Sequence, residues 1–143
     1  MVRTPRAAPD NACTTCGTLM HPHRGSLTLP VNGELIRVPG CSFLLCPKCG
    51  ETITDWEQTG YLFDRAHERY REKHHLLSPS EIEEIRARYG LTQAALAKLL
   101  RLGANTISRW ESDRMVQTAA MDVLLRLIRD VPETLKFLRR HAA

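Results

Sequence analysis

The chain has 143 residues, 43% of them hydrophobic and 25% charged, with a formal net charge of +4. That composition fits a globular protein of one or two small domains and excludes fibrous and strongly disordered classes. Apolar runs such as Phe43-Leu44-Leu45 fall far short of the ~18 to 20 residues that a bilayer span requires. The basic stretch Met1 to Pro9 has no apolar segment behind it, so a cytoplasmic protein without a signal peptide is expected, beginning with a flexible arm over residues 1–11.

The five cysteines all fall between Cys13 and Cys49. An odd number, without a secretory signal, argues against a disulfide framework and towards metal or thiol chemistry. Cys13-Thr14-Thr15-Cys16 and Cys46-Pro47-Lys48-Cys49 are two Cys-x-x-Cys knuckles, each followed by glycine, Gly17 and Gly50. Two intervening residues let one tight turn aim both thiolates at one ion, and the glycine is expected to relieve crowding where amides approach the sulfurs. Cys13, Cys16, Cys46 and Cys49 together supply the four thiolates that a tetrahedral Zn²⁺ prefers. One structural zinc is expected, because four thiolates close the coordination sphere and leave no position for water. The chain is therefore read as no enzyme: a zinc hydrolase needs an open position, and a thiol oxidoreductase needs a thioredoxin-like scaffold around its Cys-x-x-Cys.

The 29 residues between Cys16 and Cys46 exceed the roughly 15 to 20 of the common pattern, and a hairpin whose ends return together would bridge them. Asn32-Gly33 accepts the positive φ values of a type I′ turn, between strands expected over Gly25 to Val31 and Glu34 to Val38. Cys41 is left over as a buried or half-buried thiol, with a redox sensor as the weaker alternative. His21 and His23 are read as surface histidines, since four cysteines already suffice. From Thr54 to about His74 the spacing of Trp56, Leu62, Phe63, Ala66 and Tyr70 predicts one helix or two short ones, capped by Thr54 or Asp55 and weakest at Gly60.

Residues 12–75 thus form an expected zinc-binding domain, 76–79 a linker and 80–143 a second domain, which carries +3 of the net charge. In this domain Ser80-Glu81-Ile82-Glu83 reads as a capping box, with the helix stopping at Tyr89-Gly90. Thr92 caps a second helix to Leu100, and a third begins near Ala104. Thr118 caps a fourth with the stripe Met121, Leu124, Leu125 and Ile128, and Pro132 opens a fifth that ends near Arg140. The fold class is α+β: a small zinc-bound β-hairpin domain with a linking helix, then an all-α domain of five helices.

Leu91 to Glu111 fits a helix-turn-helix. Ala97 is small where two helices cross, Leu102 plugs the turn, Ile107 anchors the second helix inward, and Trp110 packs. Asn105 and Arg109, four apart on one face, are the side chains best suited to adenine N6/N7 and guanine O6/N7 in the major groove. Thr106 and Ser108 suit phosphates or bases, and Arg101, Thr92 and Gln93 complete the candidate DNA-binding set. From Arg86 to Arg114 six basic residues stand against Glu111 and Asp113, an excess that suits a phosphate backbone. Two recognition helices about 34 Å apart would read a palindromic double-stranded operator, so a homodimer is expected; the stripe of the last two helices, Leu135 and Leu138 included, is its candidate surface unless it is spent on the domain's own core, the preferred reading.

The run from Leu91-Thr92-Gln93 to Ile107-Ser108-Arg109-Trp110-Glu111 resembles the Xre/Cro-type, lambda-repressor-like helix-turn-helix family. With the paired knuckles ahead of it, nearly the whole chain from Cys13 is similar to the MqsA-type antitoxins of type II toxin–antitoxin systems. The resemblance implies a structural zinc on the four cysteines and a protein toxin, a ribonuclease, bound by the N-terminal domain. It also implies a dimeric C-terminal domain that represses its own operon, reading bases through Asn105 and Arg109. Arg101 and Asp113 depart from it, standing where a turn glycine and a loop glycine are common. The alternative is a stand-alone zinc-containing transcriptional regulator whose N-terminal domain binds another protein or senses metal or thiols.

Overall fold

The computed structural model describes residues 10–142. Residues 1–9, most of the arm expected at the N-terminus, lie outside them. Strands β1 (His21–Val31), β2 (Glu34–Leu45) and β3 (Thr52–Ile53) form one sheet in that order. The turn between β1 and β2 uses Asn32 at φ +48° and Gly33 at φ +82°, the pair of positive values that a type I′ hairpin requires. Both strands outrun the expected hairpin. Pro39 and Gly40 do not end β2, because Gly40 takes φ +71° at no steric cost and the strand continues. β2 pairs antiparallel with β3, Leu44 opposite Ile53 and Leu45 opposite Thr52.

Helix α1 (Trp56–His74) is a single helix that passes straight through Gly60. Asp55 caps it, its carboxylate accepting the Gln58 amide at 2.8 Å. Five helices follow: α2 (Pro79–Arg88), α3 (Gln93–Leu99), α4 (Thr106–Glu111), α5 (Ala119–Asp130) and α6 (Pro132–His141). The capping box of α2 lies two residues earlier than the spacing predicts. Ser78 accepts the Glu81 amide and Glu81 reaches back to the Ser78 amide. Two Ser-x-x-Glu frames overlap there, and Pro79 decides between them: at the first helical position its missing N–H costs nothing and its fixed φ is already helical. Thr92 and Thr118 cap α3 and α5 as expected, accepting from Ala95 and Met121.

The described chain divides into two compact units: residues up to Leu29 with Leu35–Ala66, and Pro30–Glu34 with His67 onward. The first has a small core, with Cys13, Met20 and Cys46 buried and Cys16, Leu44 and Ile53 packed on them. The second has a larger one, in which Leu77, Ile82, Ile85, Leu96, Ala97, Leu100, Ile107, Trp110, Leu125 and Ile128 come together and Leu102 packs from the turn. Polar fasteners supplement it. Asp122 accepts the Leu77 amide at 2.8 Å and Gln117 donates to the Leu77 carbonyl at 2.8 Å, so the backbone at Leu77 is fully paired where water cannot reach. In the same unit Asn32 donates to the carbonyls of Val116 and Gln117 at 3.0 and 3.3 Å.

One ion pair ties three of these helices. The Glu111 carboxylate, 6% exposed, accepts Arg86 Nε at 2.6 Å and Nη2 at 3.2 Å from α2, and the Gln93 amide from α3. Arg86 also donates to the Leu91 carbonyl at 3.0 Å. A buried pair of this kind adds little net stability over an apolar replacement, but removing one partner leaves a charge unpaired. Glu111→Ala is therefore expected to cost the second unit about 3 kcal/mol, read as a lowered urea midpoint, with Glu111→Gln losing less because it keeps an acceptor for Arg86.

Candidate metal centre and helix pair

The two knuckles have the same construction. In the first, the Cys13 carbonyl accepts the Gly17 amide at 2.8 Å and the Cys13 amide donates to the Thr18 carbonyl at 2.8 Å. In the second, Cys46 repeats both bonds with Gly50 and Glu51, at 3.0 and 2.9 Å. Gly17 and Gly50 stand at φ +73° and +77°. A Cβ added to either would meet nothing within 4 Å, so crowding is not what calls for glycine there. The left-handed backbone is.

Each knuckle closes a short antiparallel pair. The first lies between bridged Ala12 and Leu19, the second between Leu45 and Thr52. Because β1 starts just after Met20 and β2 ends just before Cys46, the hairpin returns the second knuckle to the first. Their sulfurs meet as one group, with Cys13 and Cys49 Sγ 3.5 Å apart, Cys16 and Cys46 Sγ 3.5 Å apart, and all four within 4.8 Å of one another. Metal–sulfur bonds of about 2.3 Å in a tetrahedron imply sulfur–sulfur edges of about 3.8 Å. The four cysteines fit one metal ion.

Backbone amides surround the sulfurs: those of Thr15 and Cys16 face Cys13, that of Thr18 faces Cys16, those of Lys48 and Cys49 face Cys46, and that of Glu51 faces Cys49. Such donors favour thiolates. The Cys16 thiol is brought down to about 6 by the Thr18 hydroxyl, 3.2 Å away, and by the Thr18 amide. The amide of Cys49 likewise lowers Cys46. Cys13 goes the other way, pushed up to about 12 by the Glu51 carboxylate, which accepts its S–H at 2.8 Å, and by burial. Cys49 also rises: its contacts with the Glu51 amide and the Cys13 sulfur act downward, but burial and the sulfurs of Cys46 and Cys16 outweigh them.

The sequence motif does not single out Glu51. Its only mark is its place after Cys49-Gly50, the position Thr18 holds in the first knuckle. Beyond Cys13, its carboxylate accepts the Thr14 hydroxyl at 3.1 Å and the Thr15 amide at 3.3 Å, which binds the second knuckle to the first and holds the Glu51 carboxyl below its usual range. Among the described residues His21, His23 and Cys41 lie outside the sulfur group. His21 is exposed, the His23 ring rests 5.3 Å from Phe43, and Cys41 is fully buried with its thiol donating to the Val38 carbonyl at 3.4 Å.

In the second unit α3 and α4 are joined by a short turn at Arg101, whose φ is +56°. The turn keeps the backbone a glycine would have, although the residue is arginine, and Arg101 donates to the His141 carbonyl at 2.9 Å. Asp113 shows the same substitution, at φ +60°. Asn105 and Arg109 are both exposed one turn apart, the Arg109 amide donating to the Asn105 carbonyl at 3.1 Å. Thr106 and Ser108 are half-buried beside them. Thr92 spends its hydroxyl oxygen on the Ala95 amide, and Gln93 gives its side-chain amide to Glu111.

A family model described as the antitoxin component of a bacterial toxin-antitoxin system, MqsA, matches residues 11–139. Antitoxin HigA-2 of Vibrio cholerae serotype O1 is 36% identical over 59 residues, which are 41% of this chain and 57% of that protein. The chain thus spans little more than half the length of that curated relative. Because a thiol must give up its proton to bind a metal, and Cys13 and Cys49 are pushed upward, affinity for the ion should weaken as the pH falls, by about tenfold per pH unit for each proton displaced. A chelator competition followed across pH 6 to 8 checks this, and Cys46→Ser should bind no metal at stoichiometric concentration.

Proposed function

The chain belongs to the MqsA family of antitoxins, and from that premise we propose that it is a DNA-binding antitoxin: it neutralises its cognate toxin and, as a dimer, represses its own operon by sequence-specific binding. In this reading residues 12–75 form the domain that holds one structural Zn²⁺ and engages the toxin, a ribonuclease. Residues 76–79 are the linker, and residues 80–143 are a five-helix, lambda-repressor-like helix-turn-helix domain. Zinc is favoured over other metals by the donor set, four soft thiolates within 4.8 Å of one another.

The observation that carries the DNA reading is the outward face of α4. Ile107 and Trp110 are buried, Glu111 is fastened from behind, and Asn105 and Arg109 are left exposed together. Their chemistry suits adjacent base edges in a major groove. Arg88, Lys98, Arg101 and Arg114 are also exposed and suit phosphates. Glu111 does not oppose them strongly, because its charge is spent on Arg86. Gln93 and Thr92 reach DNA only through the capacity their internal bonds leave.

No helix among the described residues is long and apolar enough to cross a membrane, and none is needed for this role. A redox-sensing alternative draws no support from Cys41, which is fully buried. Binding to duplex DNA from upstream of its own gene tests the reading: Asn105→Ala and Arg109→Ala are each expected to lose roughly 1–3 kcal/mol of operator affinity with affinity for scrambled DNA changed much less. Equal preference in wild type and both variants would show that these are not the base readers.

For the dimer, Leu135 is buried in its own unit and offers no surface. Val123, Leu127, Val131 and Phe137, on and between α5 and α6, are exposed and form the better candidate. Leu127→Glu with Phe137→Glu is expected to give a monomer in sedimentation at micromolar concentration while the circular dichroism melt stays cooperative.

A further inference from the structure

Resting on the DNA reading above, we propose that His67 and Arg71 of α1, acting through Asp113, are positioning residues for base recognition: they lock the C-terminal turn of α4 and so fix where Arg109 points. All of these residues belong to the second unit.

Asp113 follows the C-cap of α4, Ser112. Its backbone is left-handed, at φ +60°, a conformation that glycine takes freely and that aspartate tolerates better than most residues. That turn closes the helix on one particular carbonyl. The amides of Arg114 and Met115 both donate to the Arg109 carbonyl, at 2.9 and 3.2 Å, while the Asp113 amide donates to that of Trp110 at 3.3 Å. The residue whose side chain is assigned to guanine therefore has its carbonyl held by the loop that Asp113 shapes.

A glycine could make the same turn, but it could not anchor it. The Asp113 side chain accepts from the Arg71 guanidinium and from His67 Nδ1, the latter at 3.0 Å. His67 Nδ1 also lies 3.0 Å from the Asp113 carbonyl oxygen. Both oxygens are acceptors, so Nδ1 carries the proton and donates. His67 is 5% exposed and the Arg71 side chain 11%, so the loop is gripped from inside the unit, by groups fixed in place before DNA arrives. Recognition contacts must be held to within about half an ångström by supports of this kind. None of the three side chains has to touch DNA to have this effect.

The experiment compares binding of the full chain to a duplex from upstream of its own gene and to a scrambled duplex of equal composition, at one salt concentration. Asp113→Gly keeps the turn and removes the anchor. It is expected to melt cooperatively and to lose about tenfold of its preference for the upstream duplex, while affinity for the scrambled duplex does not fall. Asp113→Asn, which tolerates positive φ and retains an acceptor oxygen, is expected to recover most of the preference. Wild-type preference in a folded Asp113→Gly protein would overturn the proposal. Should that variant not fold, Arg71→Gln decides by the same ratio, with a reduced preference supporting the proposal and an unchanged one overturning it. A wild-type chain with no preference for the upstream duplex would defeat the DNA reading itself, whereas preference retained by wild type and by Asp113→Gly alike defeats only the positioning role.

Discussion

Four sulfurs gathered within 4.8 Å are the constraint from which the first unit is built. Around the cysteines pack only Met20, Leu44 and Ile53, and elsewhere in the unit Ile36, Val38, Cys41, Leu62 and Ala66 are buried, a small apolar core of the kind that a metal staple supplements. What supplements it is a pair of identical loops, each dictated by Cys-x-x-Cys-Gly, whose amides point at the sulfurs and whose glycines take the left-handed turn. The hairpin follows from them as much as it leads to them. Its strands begin and end at the knuckles, so the register of β1 on β2 and the meeting of the thiolates are one geometric requirement. Glu51 adds the polar fastening that ties one knuckle to the other.

The second unit solves a different problem. It has a sufficient core, and burial of Leu96, Ile107, Leu125 and Ile128 supplies its drive to fold. What apolar packing leaves underdetermined is how a helix of only six residues, α4, sits against its neighbours. Directional bonds settle that: Glu111 to Arg86 and Gln93 at its back, and the left-handed loop at Asp113 at its end. Buried ionic contacts contribute more to orientation than to stability, and orientation is what the base-reading role proposed for α4 would need.

Much of this was legible from residue types alone. Cys-x-x-Cys pairs, Asn-Gly at a turn and Thr at a helix start are local instructions, and the knuckles, the hairpin turn and the caps of α3 and α5 follow them. The inward placing of Ala97, Ile107 and Trp110 was equally readable, because helical spacing leaves few alternatives. Where local rules overlap, the outcome depends on a neighbour: two Ser-x-x-Glu frames compete at the start of α2, and Pro79 chooses. Pro39-Gly40 looks like a strand end, yet pairing further along carries β2 to Leu45. Glu51 and the bonds of Gln93 were not legible at all. A lone carboxylate after a knuckle, or a glutamine after a helix cap, acquires its role only when residues distant in sequence arrive beside it.

Arg101 and Asp113 extend the same lesson to backbone conformation. Both stand where the resemblance to the helix-turn-helix family leads one to expect glycine. Both take the left-handed backbone that glycine favours, at φ +56° and +60°, and the difference lies in what each side chain does once it is there. Arg101 lies at the surface, its guanidinium on the His141 carbonyl, and remains a candidate for phosphate contact. Asp113 faces inward and is gripped by two cationic or donor groups of α1. A non-glycine residue in the left-handed region costs on the order of 1 kcal/mol, so each must be compensated by contacts that glycine could not make. At Asp113 those contacts are with His67 and Arg71, and they converge on the turn that holds the Arg109 carbonyl.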